Sequence, residues 1–538
     1  MTAVGQTAAF APRSGGSRPL AGTGALLRLA LRRDRVMLPL WVIVLGGAIS
    51  SAPNSLRNLY STAAERSNVV ESMSTNGSLR ALYGPAFSDS IGGITAWRYV
   101  TFGALMAGIM SLIIVVRHTR EEEETGRQEP LSAAMVGRRA PLTAALLTAL
   151  VANAALSLLI AAGLGGEGRG GALALGLAIG GVGMLFATMA GIAAQLTESA
   201  RLAKGLTAAV LALAFVLRAA GDAGARDGSS VLTWLSPVGW AENTRAFAAE
   251  RWWVLLLFAG AIVVQGVIAF NLAGRRDIGM SFLPTRPGPA EGRLRAAGSL
   301  AWRLQRGSVL GWGVGFLATG VMFGGMTEGA ADLVGDSEKT REIFERMGGQ
   351  SSLTDAFLAA MVGMLGMVAA LYVVQAVLRL HSEETAQRAE PILANAVGRI
   401  RWAAGHLVIA FGGAALLMVL GGLGLAIGYG KEPGPILGAC LVQLAGIWVF
   451  GGLATLLHGV FPKAAVAAWG ASGIALALGW IGPALNLPQS VMNLSPFEHL
   501  PSLPGPEMRW APVLTLTVVA AGLVAAGLAG LRRRDIQT

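Results

Sequence analysis

The chain has 538 residues, of which 53% are hydrophobic, only 14% are charged and 74 are glycine. Soluble globular chains carry about 25% charged residues, whereas the mean hydropathy of this chain is +0.57. These values exclude an intrinsically disordered protein, a nucleic-acid-binding protein and an ordinary soluble enzyme, and they indicate a polytopic membrane protein. The single cysteine, Cys440, excludes an intrachain disulfide framework.

The first elements of the chain precede any apolar run. Residues 1–20 contain a Ser-Gly-Gly-Ser-Arg-Pro sequence and predict a disordered cytoplasmic tail. Residues 26–35 then place Leu and Ala opposite Arg28, Arg32 and Arg35, which predicts a basic amphipathic helix in the membrane interface. A weaker copy of this pattern occurs at 300–306.

Twelve apolar runs follow, each long enough to cross a membrane, because a hydrocarbon layer of ~30 Å needs about 20 helical residues. In chain order they are 36–52, 98–116, 141–163, 171–194, 203–220, 252–272, 308–326, 355–378, 402–428, 435–457, 464–485 and 511–531. Gly and Ala fill many interior positions, which favours close packing between membrane helices. The predicted fold class is therefore an all-α polytopic membrane protein with twelve transmembrane helices.

The distribution of Lys and Arg predicts the orientation. With the N-terminus inside, about two thirds of the 42 Lys and Arg residues fall in cytoplasmic segments. This excess is the positive-inside pattern, so both termini are predicted to be cytoplasmic. The pI of 10.7 is then a consequence of topology, and no nucleic-acid partner is expected.

The second half of the chain repeats the first. Residues 122–138 align without gaps on residues 383–399, and three shorter matches follow in the same order: Lys204 with Lys463, Leu235-Ser-Pro237 with Leu494-Ser-Pro496, and Arg275-Arg-Asp-Ile278 with Arg533-Arg-Asp-Ile536. Each half contains six predicted spans and returns to its starting side. The two repeats are therefore predicted to be parallel, related by an axis along the membrane normal.

These observations predict four regions. The disordered tail, residues 1–20, precedes a first six-helix half at 21–280. A cytoplasmic linker rich in Pro, Gly and Arg, 281–298, leads to the second six-helix half at 299–538.

The aligned stretches lie after the second span of each half, and we call residues 121–138 the first loop and residues 382–399 the second loop. Glu123 with Arg127, and Glu384 with Arg388, have the i,i+4 spacing that stabilises a helix. The sequence therefore predicts that each membrane helix continues into its loop.

A second short helix of about two turns is predicted further along each loop. Pro130 and Pro391 suit its first position, and Gly137 and Gly398 suit its C-terminal cap. Such a helix could press on another protein and transmit movement to the membrane helices. A solvated cluster of charges is the alternative interpretation of either loop alone.

The six-span half, the amphipathic helix and the Glu-Glu-x-x-Gly-Arg-x-Glu-x-Leu…Val-Gly-Arg pattern resemble the permease subunits of ABC-2 type exporters. The fused form is similar to actinobacterial tetronasin-type permeases, which export polyketide antibiotics. The resemblance implies that each loop is a coupling helix that docks on a separate ABC ATPase, present in two copies. The residues implied in that contact are Glu121, Glu122, Glu123, Glu124, Arg127, Glu129, Pro130, Gly137, Arg138, Glu383, Glu384, Arg388, Glu390, Pro391, Gly398 and Arg399.

The second loop departs from the pattern, since Gln387 replaces Gly126 and two glutamates replace four. The two docking sites are therefore expected to be unequal.

No Gly-x-x-x-x-Gly-Lys-Ser/Thr phosphate loop occurs in the sequence. We expect no cofactor in this chain, with ATP and Mg²⁺ bound by the partner ATPase, and no enzymatic activity of its own.

Two rival functions remain. A proton-coupled twelve-helix multidrug carrier needs ionisable groups within the membrane, whereas the predicted span interiors contain no Asp or Glu, and Arg218 falls at a span end. A membrane-embedded enzyme needs clustered catalytic groups. The five histidines are scattered, and Glu498-His499 is the only adjacent pair that suggests catalysis.

The expected substrates are bulky hydrophobic or amphiphilic compounds such as antibiotics, drugs or lipids, because the predicted spans would enclose a cavity without fixed charge. Trp41, Trp312, Gln375 and Gln443 are candidates to line it, although Trp near a span end is also a common interface anchor. Export is implied by the family resemblance. The Ala-, Gly- and Arg-rich composition is typical of a high-GC bacterial genome, so the expected location is a bacterial cell membrane.

Overall fold

A computed structural model shows the chain as helical. It describes residues 19–127, 136–277, 279–283, 292, 294, 296–334, 353–395, 397–481, 488–505 and 507–535. Within these residues there is no β-strand, only an isolated bridge between Thr197 and Leu283. The all-α class is confirmed.

The chain divides into two compact units. The first consists of Met1–Ser74 and Tyr83–Pro287, and the second of Thr75–Leu82 and Gly288–Thr538.

The helices up to residue 287 alternate between long apolar helices and short connecting ones. They are α1 (Thr23–Arg33), α2 (Met37–Leu59), α3 (Ala63–Thr75), α4 (Gly77–Tyr83), α5 (Ile91–Arg117), α6 (Arg120–Glu124), α7 (Ala140–Leu164), α8 (Arg169–Leu196), α9 (Ala200–Gly224), α10 (Val231–Leu235), α11 (Pro237–Asn243) and α12 (Val254–Arg275).

The helices after residue 287 follow a similar order. They are α13 (Ala297–Val334), α14 (Leu353–Thr385), α15 (Glu390–Leu393), α16 (Arg399–Tyr429), α17 (Pro433–Val442), α18 (Leu444–Val460), α19 (Ala467–Ile481), α20 (Gln489–Met492) and α21 (Trp510–Arg533). Short 3₁₀ helices occur at Gly165–Glu167, Pro462–Ala464 and Pro496–His499.

Eleven helical stretches in the described part of the chain are long and apolar enough to cross a membrane, which makes this a multi-pass membrane protein. They are Met37–Leu59, Ile91–Glu124, Ala140–Glu167, Arg169–Leu196, Ala200–Gly224, Val254–Arg275, Ala297–Thr327, Thr354–Thr385, Arg399–Tyr429, Pro433–Val460 and Trp510–Arg533. They coincide with eleven of the twelve predicted spans. For the remaining one, 464–485, the structure describes 15 helical residues in α19, and 482–487 lie outside the described residues.

The helix predicted before the first span is present as α1, in which Ala30 is buried while Arg28 and Arg32 are not. Its place in the membrane interface stays a prediction. Its predicted second copy at 300–306 is not a separate helix. Those residues belong to α13, which continues without a break into the seventh span, because no Gly-, Pro- or Asp-containing turn interrupts the chain as Asp34 does after α1.

Each Leu-Ser-Pro segment begins a short helix. Ser236 caps α11, with its Oγ accepting hydrogen bonds from the N–H groups of Val238 at 3.2 Å and Gly239 at 3.4 Å. This is the usual role of serine at a helix N-cap. In the second unit Pro496 opens the 3₁₀ helix that follows Ser495.

The core of the first unit is formed by α5, α7 and α8, where Ile160, Ile179 and Phe186 are fully buried. Two polar side chains inside this core pair with each other, as is usual for buried polar groups. Asn153 Nδ2 donates to Ser111 Oγ at 2.8 Å.

In the second unit α13 and α16 cross in close backbone contact at glycines. A Cβ on Gly320 would lie 2.3 Å from the carbonyl oxygen of Gly421, and one on Gly424 would lie 2.4 Å from that of Leu317. Small residues allow this approach where lipid gives little hydrophobic drive for helix association. The helix pair therefore depends on the absence of side chains at these positions.

We expect Gly424→Ala to lower the stability of the full-length protein by about 1–3 kcal/mol, because the added methyl meets backbone that cannot move aside. Thermal unfolding of the purified protein in detergent measures this loss. Gly412→Ala on the same helix is the matched control, since nothing lies within 4 Å of its Cβ position. Equal midpoints for the two variants would contradict the packing argument.

Candidate functional site

The first loop is joined to the end of α12 by a buried ion pair. The carboxylate oxygens of Glu123 accept hydrogen bonds from Arg276 Nη1 and Nη2, both at 2.6 Å. The Glu123 and Arg276 side chains are 6% and 8% exposed. Arg276 follows the last residue of α12, so this first bidentate pair connects the loop after the second span to the end of the sixth.

The second loop contains the same contact. Glu384 accepts hydrogen bonds from Arg534 Nη1 at 2.5 Å and Nη2 at 2.6 Å. The side chains are 3% and 15% exposed, and Arg534 follows the last residue of α21. This second bidentate pair connects the corresponding two elements of the second unit.

A third residue completes both arrangements. Arg138 Nη2 donates to the carbonyl oxygen of Arg276 at 2.7 Å, and Arg399 Nη1 donates to the carbonyl oxygen of Arg534. The sequence alignment pairs Arg138 with Arg399. The same three-residue arrangement therefore occurs in each unit at aligned positions.

Two more carboxylates of the first loop contact the beginning of α9. Glu121 Oε2 lies 2.9 Å from Lys204 Nζ. Glu124 Oε2 accepts a hydrogen bond from the Ala200 N–H at 2.9 Å. A carboxylate at this position satisfies an unpaired N–H and interacts favourably with the helix dipole, so the loop also positions the fifth span.

The end of α1 contacts the same region. Glu122 forms an ion pair with Arg33. The fully buried carboxylate of Asp34 lies 3.0 Å from Arg117 Nη1 and 2.6 Å from His118 Nε2. The amphipathic helix and the end of the second span are thereby held together.

The glutamates of the second loop have different neighbours from those of the first loop. Glu383 lies 2.6 Å from Arg379 Nη2 and 3.0 Å from Arg388 Nε. His458 Nε2 lies 3.5 Å from Glu384. The second bidentate pair thus has a titratable neighbour, whereas Arg120 and Gln195 adjoin the first one.

The predicted i,i+4 pair between Glu123 and Arg127 is wrong. Arg127 Nη1 instead lies 3.9 Å from Glu122 Oε1. The reason is that α6 ends at Glu124, and Gly126 turns the chain with a φ of +70°. Without a continuing helix the i,i+4 geometry does not exist.

The predicted pair between Glu384 and Arg388 is wrong for the same reason. The helix α14 ends at Thr385, and Gln387 adopts a φ of +56°, so that Arg388 contacts Glu383. The left-handed turn is kept here although Gln replaces Gly, at a cost of roughly 1–2 kcal/mol for a residue with a Cβ.

The predicted coupling helix of the first loop falls mostly outside the described residues, and so do Glu129 and Pro130. Gly137 is described, and its N–H donates to the carbonyl oxygen of Ala21 at 2.9 Å. The end of the first loop is therefore attached to the chain segment that precedes α1.

The second loop contains the short helix α15, with Pro391 in its first turn. Gly398 does not cap its C-terminus as predicted, because α15 already ends at Leu393. Gly398 is the N-cap residue of α16 instead, with φ −68° and ψ 148°.

The loop residues fall into two groups by exposure. Glu123, Glu383 and Glu384 have nearly buried side chains. The side chains of Arg127 and Arg388 are 60% and 57% exposed; Glu390 is exposed too. The first group can hold helices together, and the second can reach another molecule.

Trp312, a predicted substrate contact, lines a groove between α13 and α14. Its Nε1 donates to Gln375 Oε1 at 3.0 Å. The groove has a volume of about 500 Å³ and is lined by Gly307, Ser308, Gly311, Trp312, Gly315, Phe316, Thr319, Phe323, Met364, Leu365 and Val368. Volumes of 300–1,000 Å³ with aromatic walls are typical of small-molecule sites.

The other two candidate substrate residues lie elsewhere. Trp41 packs in the first unit against a cluster that includes Leu38 and Met110. Gln443 is buried beside Gly366 in the second unit. Neither residue belongs to the lining of the groove that contains Trp312.

Sequence reasoning missed a buried charged cluster in the first unit. The fifth span continues to Gly224, so Arg218 and Asp222 are inside it and fully buried, and Glu242 of α11 joins them. The prediction that span interiors contain no Asp or Glu is therefore wrong. Arg218 and Asp222, one helical turn apart in an apolar run, were the available signal.

The groups considered for enzymatic chemistry form no catalytic arrangement in the described part of the chain. No three His, Cys, Asp or Glu side chains are placed there as metal ligands. Glu498 accepts a hydrogen bond from Gln489, and His499 contacts the carbonyl oxygen of Asn493. This pair is part of local loop structure.

Two comparisons with known proteins both match a multidrug efflux permease. A family model described as the C-terminal domain of the multidrug efflux system permease Rv1217c matches residues 294–532. The multidrug efflux system permease protein Rv1217c of Mycobacterium tuberculosis is 40% identical over 528 residues, covering 96% of this chain and 95% of the relative.

We expect Glu384→Gln to destabilise the full-length protein by about 3 kcal/mol, because Arg534 is left without its counter-charge in a largely buried position. Thermal unfolding of the purified protein measures the effect. Glu390→Gln, an exposed change in the same loop, should be neutral. Exchanging the charges as Glu384→Arg with Arg534→Glu should restore part of the loss, and no difference between the two single variants would contradict the assignment.

Proposed function

Because the chain belongs to the family of the multidrug efflux permease Rv1217c, we propose that it is the transmembrane permease of an ATP-driven exporter for bulky hydrophobic or amphiphilic compounds. Membership of this family makes it a transport protein and not an enzyme. The observation that supports the ATP-driven mechanism is the bidentate pair that recurs in both units, between the loop after the second span and the end of the last span.

The bidentate pairs give each loop a mechanical connection. Two parallel hydrogen bonds between guanidinium and carboxylate fix both distance and angle, and separating them leaves a buried charge. In the first unit, a force on the loop therefore acts on α5 and α12 together, and through Glu121 and Glu124 on α9. Such a connection suits a loop that is pushed by a partner.

The partner we propose is an ABC ATPase subunit in two copies, one at each loop, binding the ATP and Mg²⁺. Its contacts with this chain are the exposed residues Arg127, Arg388 and Glu390, whereas the buried Glu123 and Glu384 transmit the motion. The loops present different exposed groups, so we propose that the two docking sites are unequal. Both termini then lie on the cytoplasmic side of a bacterial cell membrane.

The proposed substrate contact is the groove that contains Trp312. Its walls carry no charged residue, and Trp312 and Phe316 provide aromatic surface. Ser308 and Thr319 add hydroxyl groups. Large uncharged or amphiphilic molecules fit this chemistry, because apolar contact provides affinity and a few polar groups orient the ligand.

A proton-coupled carrier is the second candidate function. The observation in its favour is the buried cluster of Arg218, Asp222 and Glu242, since ionisable groups in membrane helices commonly mark proton pathways. Reconstitution of this chain alone in liposomes distinguishes the proton-coupled carrier from the ATP-driven exporter. Uptake driven by a pH gradient without any ATPase would refute the ATP-driven proposal.

We expect the double charge reversal Arg127→Glu with Arg388→Glu to weaken ATPase binding about tenfold, since reversed charges at a polar contact remove attraction and add repulsion. The measurement is substrate-stimulated ATP hydrolysis by proteoliposomes, titrated with the ATPase subunit. The unfolding temperature of each variant is measured in parallel, because Arg388 also contacts the nearly buried Glu383; the single variant Arg127→Glu should leave it unchanged.

The matched control for this reversal is Arg226→Glu, an exposed arginine far from both loops in the sequence. It should leave the titration unchanged. Testing each loop reversal singly measures whether the two sites contribute equally. Normal stimulation in the double variant would disprove the assignment of these residues to docking.

We expect Trp312→Ala to raise the half-saturating concentration of large aromatic substrates about tenfold, because truncating a central aromatic contact costs on the order of 1.4 kcal/mol or more. Efflux of a fluorescent dye from cells or vesicles provides the measurement. Trp302→Ala is the control, since Trp302 lies on the same helix, half exposed and outside the groove. Equal effects of both changes would argue against a substrate role for the groove.

A further inference from the structure

The chain between α11 and α12 has a strained backbone. Of the four non-glycine residues with positive φ in the described part of the chain, three lie here: Arg245 (φ 51°), Phe247 (φ 63°) and Ala249 (φ 56°). A residue with a Cβ adopts this left-handed conformation only at an energetic cost. We call residues 244–251 the strained segment.

The Phe247 side chain fits against glycines at the starts of two membrane helices. A Cβ on Gly92 of α5 would lie 2.6 Å from Cδ1 of the ring, and one on Gly171 of α8 would lie 2.4 Å from the same atom. The Cβ position of Gly168, the N-cap residue of α8, is 3.5 Å from Cδ1. The ring therefore fits only because Gly92 and Gly171 have no side chain, and we call these three glycines the glycine socket.

Two further contacts hold the strained segment closed. The N–H of Arg251 donates to the carbonyl oxygen of Thr244 at 2.9 Å, which joins the two ends of the segment. The Arg245 guanidinium lies 4.4 Å from the centre of the Phe87 ring and donates to the carbonyl oxygen of Asp227 at 3.1 Å. The segment is thereby attached to the chain that precedes α5 and to the chain that precedes α10.

The strained segment lies at the opposite end of two helices that the first loop connects. At the loop end, Glu123 after α5 pairs with Arg276 after α12. At the other end, Phe247 shortly before α12 packs against the start of α5. If these helices tilt relative to each other, the Phe247 ring has to leave the glycine socket, because the socket leaves no free space around Cδ1.

Burial of the ring and strain of the backbone act in opposite directions. Packing of an aromatic ring favours the closed segment, whereas release lets three residues leave the left-handed region. A turn that served only as a connection would have Gly or Asn at such positions, since they adopt this conformation at lower cost. Strained residues held by surrounding contacts are concentrated at clamps and switches, so the segment has the features of an element with two states.

We propose that the strained segment is a latch of the first unit, closed when Phe247 occupies the glycine socket. During transport Phe247 leaves the socket, the three strained residues relax, and the starts of α5, α8 and α12 separate. The latch closes again when the ring returns. This inference depends on the chain being a transport protein, but it does not depend on whether ATP or protons drive transport.

A reversible disulfide tests the latch directly. In Gly171→Cys with Phe247→Cys the two Cβ atoms lie within about 4 Å, which suits a disulfide, because the Cβ position at Gly171 is 2.4 Å from Cγ of Phe247. Cys440 is changed to Ala in this protein, so that only the introduced thiols react.

Efflux of a fluorescent dye from cells that express this full-length variant is the measurement. Efflux should fall about tenfold or more on oxidation and return on reduction, because a locked latch stops a conformational step of the cycle. The reduced form of the same protein is the reference, so a loss on oxidation reports the latch and not the driving force of transport. Unchanged efflux by the fully oxidised protein would overturn the proposal.

Gly180→Cys with Ser157→Cys on the same background is the matched control. The Cβ position at Gly180 is 3.7 Å from Cβ of Ser157, so this disulfide joins α7 to α8 in the core of the same unit. Efflux should be equal before and after oxidation. Equal losses in the two cross-linked proteins would contradict the latch, since the strained segment would then behave like any other cross-linked contact.

Hydrogen exchange keeps the proposal testable if the cysteine variant fails to fold. In the wild-type protein, the Arg251 amide should exchange through local opening, about tenfold or more faster than the amide of Ile179 in the core of α8, and without dependence on low denaturant concentrations. Phe247→Ala should accelerate exchange at Arg251 further and leave Ile179 unchanged. Exchange of Arg251 only together with Ile179, on global unfolding, would rule out a latch that opens.

Discussion

The charge pairing of glutamate with arginine at the loop end of each unit is the interaction on which the other loop contacts depend. In a region that excludes water, two parallel hydrogen bonds hold Glu123 on Arg276 and Glu384 on Arg534 more firmly than either charge could be held at a surface. The loop thereby acquires a fixed position relative to the last span of its unit. The hydrogen bond from the start of α9 to Glu124 can then orient the fifth span, because Glu124 belongs to a loop whose position is already fixed.

The membrane helices are held together by close packing at small residues and by paired polar groups. Gly320 and Gly424 let α13 and α16 approach to backbone contact, which compensates for the weak hydrophobic drive between helices in lipid. The two units have a similar order of helices but differ in the charged and titratable groups placed among them. His458 adjoins the second bidentate pair, whereas the cluster around Arg218 lies in the first unit. Similar helices can thus have different electrostatic properties in each half of the chain.

The spans and α1 were predictable because each depends on residues close together in the sequence. The partners of the loop glutamates were not. A helical i,i+4 rule predicted Arg127 for Glu123, but Gly126 and Gln387 turn the chain before the rule applies. The true partner, Arg276, is 153 residues away. Its recurrence as Arg534 in the repeat was visible, although nothing local connected it with a glutamate.

By itself the sequence determined that this is an all-helical membrane protein, where eleven spans run, and that two stretches of charge recur in aligned places, because hydropathy and repetition are read along the chain. Only the tertiary structure decided which charges are buried. It directed Glu123 and Glu384 inward to arginines that follow distant helices, and it extended α9 so that Asp222 meets Glu242 around Arg218. Burial and long-range pairing depend on how helices pack, and that packing brings together residues the sequence keeps far apart.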